Sequence, residues 1–325
     1  MRFVDYVSGQ GPEAMSLATM KTPTPCAHQV KIKVHAFGVN RADTMQRMGN
    51  YPPPPGESEV LGLEASGEVV EVGDEVTRWK VGDNVFGLMP GGGYAEEALV
   101  DEGHVMPVPS GISMEEAAGL AEVFLTAYQV LFTIGQVGSG DRALIHAGAS
   151  GVGLAGLQLC RLAGVATATT ASSAQKLALC EQMGASVLIN YKEQDFAEVL
   201  AKQWPEGVNT VIDFVAGDYL NRNLKTLAVD GTIVYLAMLA GRYADKLDMG
   251  LMLMKRARVQ GSTLRSRSDQ YKRQLIDGFT KKFLGEFSTG QLKVNLDTVY
   301  NIENVSEAHA RLEANDTQGK IIVTW

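Results

Sequence analysis

A glycine-rich segment in the middle of the chain follows an apolar run and leads into an amphipathic stretch. Residues 143–146 have the composition of a buried strand, and residues 153–162 have helical periodicity. The spacing G-x-G-x-x-G occurs here at Gly151, Gly153 and Gly156. In this pattern one glycine permits a tight turn, another lets backbone approach a pyrophosphate, and a third lets the helix pack on the strand. The segment predicts a dinucleotide-binding strand–loop–helix unit with the phosphates at the helix N-terminus.

Other interpretations of this loop place different demands on its residues. A phosphate-cradling P-loop is excluded because no Gly-Lys-Ser or Gly-Lys-Thr follows. A hydrolase nucleophile elbow around Ser150 is excluded because Val152 stands where glycine is needed. The open alternative is that the glycines serve only a tight turn.

The rest of this region alternates apolar runs with amphipathic stretches, which is the pattern of βαβ units. The predicted strands are 143–146, 165–169, 187–189, 210–214 and 232–236, with a sixth at 257–263. The predicted helices are 153–162, 174–183, 195–202 and 219–227. We therefore expect an α/β fold with a Rossmann doubly wound parallel sheet in a domain spanning residues 122–264.

The first ~120 residues have short strands between turn signals, which is typical of an all-β domain. In one predicted strand Val30, Ile32 and Val34 alternate with Lys31, Lys33 and His35, so we expect the charged set to face water. Further predicted strands are 64–72, 84–88 and 94–100. Two helices, 270–287 and 305–314, precede a terminal strand at 320–324. We expect a β-rich catalytic domain at residues 1–121, to which residues 265–325 return.

Charge and cysteine content limit the partners of this protein. The chain has 325 residues and a net charge of −8, which disfavours binding to nucleic acid or to an anionic membrane. Its three cysteines are scattered, so neither a disulfide framework nor a zinc cluster is indicated. No secretory signal is visible at the N-terminus. We expect a cytoplasmic protein whose partners are small molecules or further copies of itself.

The end of the second predicted Rossmann strand selects the nucleotide. An NAD site carries an acidic residue there for the ribose hydroxyls, but residues 161–180 contain none. Ser172 and Lys176 stand there instead, and an ammonium group attracts a 2′-phosphate. The sequence therefore favours NADPH over NADH.

Several segments together resemble one enzyme family. They are GVNRADTMQRMGNYPPPPG (38–56), GLEASGEVVEVG (62–73), FLTAYQVL (124–131), NYKEQDF (190–196) and GKIIV (319–323). The chain resembles the zinc-free quinone oxidoreductases, including zeta-crystallin, of the medium-chain dehydrogenase/reductase superfamily over essentially its whole length. The stretch LRSRSDQYK (264–272) is closest to the tumour-suppressor-inducible branch. The resemblance implies a GroES-like β domain beside the Rossmann domain, and a homodimer or homotetramer paired through the sixth Rossmann strand.

The resemblance also implies site residues. Asn40 and Tyr51 would line the nicotinamide and substrate pocket, with Tyr51 as the hydrogen-bond donor near the acceptor oxygen. The other expected cofactor contacts are Thr126 and Met238 near the nicotinamide, Ser150, Gly151, Val152 and Gly153 at the pyrophosphate, and Ser172, Lys176 and Tyr191 at the 2′-phosphate. Ser172 and the run 236–238 depart from the family, which commonly has glycine at both places.

No metal is expected. Zinc-dependent relatives carry ligands at places that here read Gly38-Val39-Asn40 and Gly62-Leu63-Glu64, and a leucine does not coordinate zinc. His146 is interpreted as a satisfied core residue, and His309 as a surface residue on a late helix.

Without zinc to stabilise an alkoxide, alcohol oxidation is difficult, whereas a quinone spreads the negative charge that follows hydride addition. The leading hypothesis is an NADPH-dependent, zinc- and flavin-free reductase that passes a hydride, or single electrons, to ortho- or para-quinones. The enzymatic alternative is reduction of alkenals and enones. A third hypothesis is a weakly catalytic nucleotide-binding protein with a structural or RNA-binding role.

Overall fold

The computed structural model describes residues 1–315 and 317–325. These residues form two compact units, which we call unit 1 (residues 1–125 and 264–325) and unit 2 (residues 126–263). The boundaries expected after residues 121 and 264 lie in the structure after residues 125 and 263.

The strands are β1 (Arg2–Asp5), β2 (Ser16–Thr19), β3 (Gln29–Val39), β4 (Glu64–Val72), β5 (Asn84–Leu88), β6 (Glu97–Asp101), β7 (Val105–Pro107), β8 (Arg142–Ile145), β9 (Ala166–Ala171), β10 (Val187–Asn190), β11 (Val208–Asp213), β12 (Leu227–Tyr235), β13 (Arg258–Gly261), β14 (Leu296–Asn301) and β15 (Lys320–Thr324). The α-helices are α1 (Arg41–Arg47), α2 (Met114–Ala117), α3 (Ala121–Tyr128), α4 (Gly151–Ala163), α5 (Ala174–Gln182), α6 (Phe196–Gln203), α7 (Tyr219–Thr226), α8 (Met249–Lys255), α9 (Asp269–Phe279), α10 (Gly285–Ser288) and α11 (Val305–Glu313).

Unit 1 is built on a sheet with the order β14-β15-β3-β4-β5-β7, in which β6 also pairs with β3. Val30, Ile32 and Val34 point into its core, as the alternation predicts. The expectation that the charged residues of β3 all face water is wrong for Lys31. That side chain is buried, and its ammonium pairs with Glu71 on the neighbouring strand. A cross-strand carboxylate compensates the lysine charge and lets its apolar stem pack inward.

The C-terminal strand returns to unit 1, as its sequence position indicates. β15 pairs antiparallel with β3, with Ile321 opposite Val39 and Thr324 opposite Ala36. Ile321, Ile322 and Val323 are buried, so the strand contributes apolar area to the sheet interior as well as hydrogen bonds. The pairing also brings Lys320, at the start of β15, beside the end of β3, which the expected site residue Asn40 follows.

Unit 2 contains the expected doubly wound sheet. Its strands are all parallel in the order β10-β9-β8-β11-β12-β13. Each predicted strand and helix of this region is present, with bounds that differ by a few residues. The order reverses between β8 and β11, and ligands of such sheets bind outside the carboxyl ends of the strands near this reversal. The fold therefore places the glycine-rich loop after β8 where a nucleotide is expected.

Within the residues that the structure describes, no helix has the length and apolar character needed to cross a lipid bilayer.

Candidate functional site

The glycine-rich loop of unit 2 has the geometry of a phosphate-binding turn. Ser150 caps α4, and its hydroxyl accepts a hydrogen bond from the backbone N–H of Gly153 at 3.1 Å. Gly151, Val152 and Gly153 form the first turn of this helix of 13 residues, so they lie where helical N–H groups have no partner within the helix. An anion is stabilised at such a helix end by these donors and by the helix dipole.

Close approaches explain the glycines of this loop. A Cβ atom on Gly153 would lie 2.6 Å from the carbonyl oxygen of Gly148 and 2.7 Å from that of Ala147. A Cβ atom on Gly156 would lie 3.1 Å from Cδ1 of Ile145 on β8. Any side chain at Gly153 would therefore push the loop backbone away from the helix, and glycine at 156 permits α4 to pack on β8.

The residues expected at the adenosine end lie at the carboxyl ends of neighbouring strands. Ser172 follows β9, and Lys176 is in the first turn of α5, where its N–H donates to the Ser173 hydroxyl at 3.3 Å. Tyr191 follows β10, and its N–H donates to the carbonyl oxygen of Ala171 at 3.2 Å. The strand pairing thus brings these positions to one edge of the sheet. Their contact with a 2′-phosphate stays a prediction.

The two expected nicotinamide contacts of unit 2 differ in their surroundings. Thr126 is buried, and its hydroxyl has no hydrogen-bond partner within residues 1–315 and 317–325. A buried hydroxyl without a partner is costly, and a bound ligand would satisfy it. Met238 follows β12 and is 57% exposed.

In unit 1, Asn40 lies in a buried polar cluster with Glu64 and Lys320. The Lys320 ammonium pairs with Oε1 of Glu64 at 2.5 Å and donates to Oδ1 of Asn40 at 2.8 Å. Nδ2 of Asn40 donates to Oε1 of Glu64 at 3.0 Å. The amide of Asn40 is thus held at both ends by the protein, and its contact with the cofactor or substrate stays a prediction.

This cluster does not fit a zinc ion. The ammonium of Lys320 already bonds to the side-chain oxygens of Asn40 and Glu64, and a second cation there would be repelled. Leu63, where zinc-dependent relatives carry a ligand, is buried and has no donor atom. Within the described residues, no group of three or more His, Cys, Asp or Glu side chains is arranged to hold a metal.

Asp43 fixes the backbone around this cluster. Its carboxylate accepts hydrogen bonds from the N–H of Asn40 at 2.8 Å and from that of Gly62 at 3.1 Å. Burial raises the pKa of Asp43 to about 6, although both N–H bonds and the charge of Lys320 oppose the rise. The sequence analysis left α1, where Asp43 lies, unassigned. The carboxylate joins the start of this helix to the turn before β4.

The two histidines singled out from the sequence are both internal. His146 is a satisfied core residue as expected, bonded to Thr170 at 3.0 Å and to Asn223 at 2.8 Å. The surface position expected for His309 is wrong, because this side chain is fully buried and shares a hydrogen bond with the Tyr94 hydroxyl at 3.0 Å. Burial lowers the pKa of His309 to about 3, so its imidazole is neutral.

Tyr51 lies beside an arginine that the sequence analysis assigned no role. The guanidinium carbon of Arg265 is 5.5 Å from the centre of the Tyr51 ring, and Nε of Arg265 donates to the carbonyl oxygen of Pro90 at 2.7 Å. Arg265 is only 6% exposed, yet in the described part of the chain its Nη1 and Nη2 atoms have no hydrogen-bond partner. Burial lowers the pKa of this guanidinium and raises that of Tyr51. A buried arginine with both terminal nitrogens unused is a donor pair for a ligand oxygen.

Glu122 is a second residue of this region to which the sequence analysis assigned no role. Its backbone N–H donates to Oε2 of Glu64 at 2.9 Å, which anchors the start of α3. Burial raises the pKa of the Glu122 carboxyl to about 8, and the charge of Glu64 adds to the rise. A signal was present, since Glu122 is the only charged residue between Ala117 and Leu131. Arg265 had a weaker signal as part of the quoted stretch 264–272.

Comparison with known proteins places both units in one superfamily. The zinc-binding dehydrogenase family model matches residues 151–281, and the alcohol dehydrogenase GroES-like domain model matches residues 26–110. The chain is 30% identical to the quinone oxidoreductase of Mus musculus over 329 residues, covering 99% of this chain and 97% of the relative. It is also 30% identical to the synaptic vesicle membrane protein VAT-1 homolog of Danio rerio, covering 91% of this chain but 64% of that relative.

Solved structures agree with this placement. The quinone oxidoreductase of Escherichia coli complexed with NADPH superposes with a TM-score of 0.88 at 27% identity, covering all of both chains. The CurK enoyl reductase has a TM-score of 0.86 at 26% identity, covering 99% of this chain and 98% of that one. The parallel Rossmann sheet, the separate GroES-like β domain and a full-length relative at 30% identity together show that the chain belongs to the quinone oxidoreductase family of the medium-chain dehydrogenase/reductase superfamily.

Proposed function

We propose that this protein is an NADPH-dependent quinone reductase that works without zinc or flavin and reduces ortho- and para-quinones. The observation that carries the proposal is the Tyr51–Arg265 pair in unit 1, because the Nη atoms of Arg265 have no partner among the described residues and can bind an acceptor oxygen. In the same unit, Asn40, Glu64 and Lys320 bond to one another where zinc-dependent relatives hold their metal. The quinone oxidoreductase relatives support it independently.

The residues of unit 2 fit a dinucleotide. The helix end at Ser150–Gly153 suits the pyrophosphate, and the hydroxyl of Thr126 is a buried group that lacks a partner in the part of the chain the structure describes. When bound, NADPH would supply the hydride. The task of the chain is to hold the nucleotide, orient the acceptor and stabilise the charge that develops on it.

The acceptor chemistry follows from the donors of unit 1. Hydride addition to a quinone leaves negative charge on a carbonyl oxygen. The two Nη groups of Arg265 and the hydroxyl of Tyr51 are donors for such an oxygen, and prepositioned donors stabilise it without a metal. A guanidinium fork also matches two adjacent oxygens, so ortho-quinones suit this pair.

Reduction of an α,β-unsaturated carbonyl is the second candidate function, favoured by the fold likeness to an enoyl reductase. The same donors would stabilise an enolate oxygen. The test is steady-state NADPH oxidation with 9,10-phenanthrenequinone, a 2-alkenal and a cyclic enone. Turnover of the quinone supports the proposal, and turnover of the alkenes alone would contradict it. NADPH binding without turnover of any acceptor would favour the non-catalytic nucleotide-binding hypothesis.

NADPH preference is tested by adding the carboxylate that NAD sites carry. We expect Ser172→Asp to weaken NADPH binding about 10-fold through repulsion of the 2′-phosphate, while NADH binding changes little. Fluorescence titration of both nucleotides measures this. Ser186→Asp, at an exposed serine directly before β10, serves as the control. Equal affinities of the wild-type protein for NADH and NADPH would contradict the preference.

We also propose that the protein is a cytoplasmic homodimer or homotetramer paired through β13. This strand ends the sheet of unit 2, and its residues are exposed. Large apolar side chains nearby in the chain are exposed too, among them Leu253 at 77% and Met254 at 71%. An unpaired strand edge beside exposed apolar side chains is suited to association with a second copy.

Light scattering after size exclusion tests the association. We expect at least twice the monomer mass for the wild-type protein, and a shift towards monomer for Val259→Asp. This change places a charge on the exposed side of β13. A wild-type protein that elutes as a monomer at micromolar concentration would contradict the proposal.

A further inference from the structure

We propose that Glu122 is the proton donor of the reaction, and that its carboxyl group protonates the acceptor oxygen bound by Tyr51 and Arg265. This inference rests on the proposed function and deepens it, because it names the group that completes the reduction. Neither the sequence pattern nor the relatives' names assign Glu122 a role.

The position of Glu122 is fixed while its carboxyl group is unused. The backbone N–H is anchored to Glu64 at the start of α3. Among the residues that the structure describes, none forms a hydrogen bond or an ion pair with the Glu122 carboxyl group, and the side chain is half-buried. Charge interactions link it to both Tyr51 and Arg265. Glu122 therefore lies near enough to Tyr51 and to the guanidinium of Arg265 for its charge to act on both.

The surroundings of Glu122 favour its protonated form, chiefly through burial. The titratable and charged groups that act on it are Glu64, Asp43, Lys320, Arg265 and Tyr51. Lys320, which pairs with Glu64 at 2.5 Å, and Arg265 oppose the rise in the pKa of Glu122, but burial and the neighbouring carboxylates outweigh them. Burial first, and the charge of Glu64 second, raise the pKa of Glu122 to about 8. At neutral pH this side chain is therefore an acid with a proton to give.

The proton balance of quinone reduction requires such a group. A hydride brings two electrons and one hydrogen to the quinone, which leaves a hydroquinone monoanion. Transfer from Glu122 breaks its O–H bond, forms an O–H bond on the acceptor and leaves the electron pair on the carboxylate. Because the side chain is half-buried rather than sealed, solvent returns the proton to Glu122 afterwards. Arg265 and Tyr51 hold the oxygen while this happens.

The protonation state is measurable without nucleotide or substrate. Infrared difference spectra of the wild-type protein against Glu122→Gln are expected to show the C=O band of a protonated carboxyl group, titrating near pH 8. Glu181→Gln, an exposed glutamate on α5, is the control and should leave this band in place. A Glu122 carboxylate that is already ionised at pH 7 would overturn the inference.

Stability gives a second measure that does not depend on activity. The pKa of the Glu122 carboxyl group is 4.5 in the unfolded chain and about 8 in the folded protein. Because the folded protein holds this proton more tightly, the free energy of unfolding falls as pH rises from 4.5 to 8. Glu122→Gln removes this penalty. We expect its melting temperature to exceed that of the wild type at pH 8 and the difference to shrink towards pH 4.5. A difference that does not change with pH would count against a proton on Glu122.

Kinetics then decide whether the proton is used. Wild-type kcat with 9,10-phenanthrenequinone should fall as pH rises through about 8, while Glu122→Gln should be about 100-fold slower at pH 7 with no such fall. NADPH affinity, measured in parallel, should be unchanged. A Glu122→Gln enzyme with wild-type rate and pH profile would overturn the inference alone. A wild-type protein that does not reduce quinones would overturn the proposed function, and the inference with it.

Discussion

Replacement of Lys320 by methionine is expected to lower the free energy of unfolding by about 3–5 kcal/mol, the cost of leaving a buried charge without its partner. Glu64 is fully buried and Lys320 is 4% exposed, and their ion pair is 2.5 Å long. Methionine fills most of the lysine volume, so the loss comes mainly from the uncompensated carboxylate rather than from a cavity. Urea unfolding followed by circular dichroism measures the change.

Two further variants isolate the cause of this loss. Lys33→Met removes an exposed lysine from β3 in the same sheet and should change stability by less than about 0.5 kcal/mol. Adding Glu64→Gln to Lys320→Met removes the stranded charge and should recover part of the stability, as a double-mutant cycle reveals. If Lys320→Met is as stable as Lys33→Met, the ion pair does not hold this part of unit 1 together.

Arg265→Met is expected to lower kcat/KM for quinones by about 10²–10³-fold, the range found when one oxyanion donor is removed. Nη1 and Nη2 of Arg265 have no partner among the described residues, so the substitution breaks the hydrogen bond from Nε to the carbonyl oxygen of Pro90, at a cost of about 1 kcal/mol, and none at Nη1 or Nη2. The protein should therefore stay folded and keep its NADPH affinity. Stopped-flow and steady-state kinetics, with nucleotide titration, separate these effects.

The control for this variant is Arg267→Met, which removes an arginine two residues away that stacks over Tyr271. It should change kcat/KM by less than about twofold, as expected of a substitution outside the site. Tyr51→Phe should cost about 10-fold, the worth of one neutral hydrogen bond to the charged oxygen. Full activity of Arg265→Met would contradict the proposal that Arg265 binds the acceptor oxygen. Full activity of Tyr51→Phe would show that Tyr51 only packs against its neighbours.

The parts of the fold that sequence predicts best are those set by local pattern. The strand–loop–helix around Gly153 is determined by residues adjacent in the chain, because its glycines relieve contacts with their own loop and strand. The parallel sheet of unit 2 follows from a repeated alternation of strand and helix patterns. The terminal strand was predictable because an isolated strand needs a sheet to join.

The candidate site of unit 1 was largely beyond sequence reasoning. Glu64, Glu122, Arg265 and Lys320 come together through strand pairing and chain return, and no periodicity links them. The errors have the same origin. Lys31 and His309 are buried because Glu71 and Tyr94 satisfy them, and those partners are found only once the chain has folded. A polar side chain looks like a surface residue until its distant partner is known.

The most direct test of the proposed function is an anaerobic reaction of the wild-type protein with equal amounts of NADPH and 9,10-phenanthrenequinone. The absorbance of reduced nicotinamide reports consumption of NADPH, and the hydroquinone is measured in the same sample. Quinone reduction by hydride predicts rapid, one-for-one loss of NADPH and gain of hydroquinone. The account would be contradicted if the protein bound NADPH and oxidised it with an enone but not with the quinone.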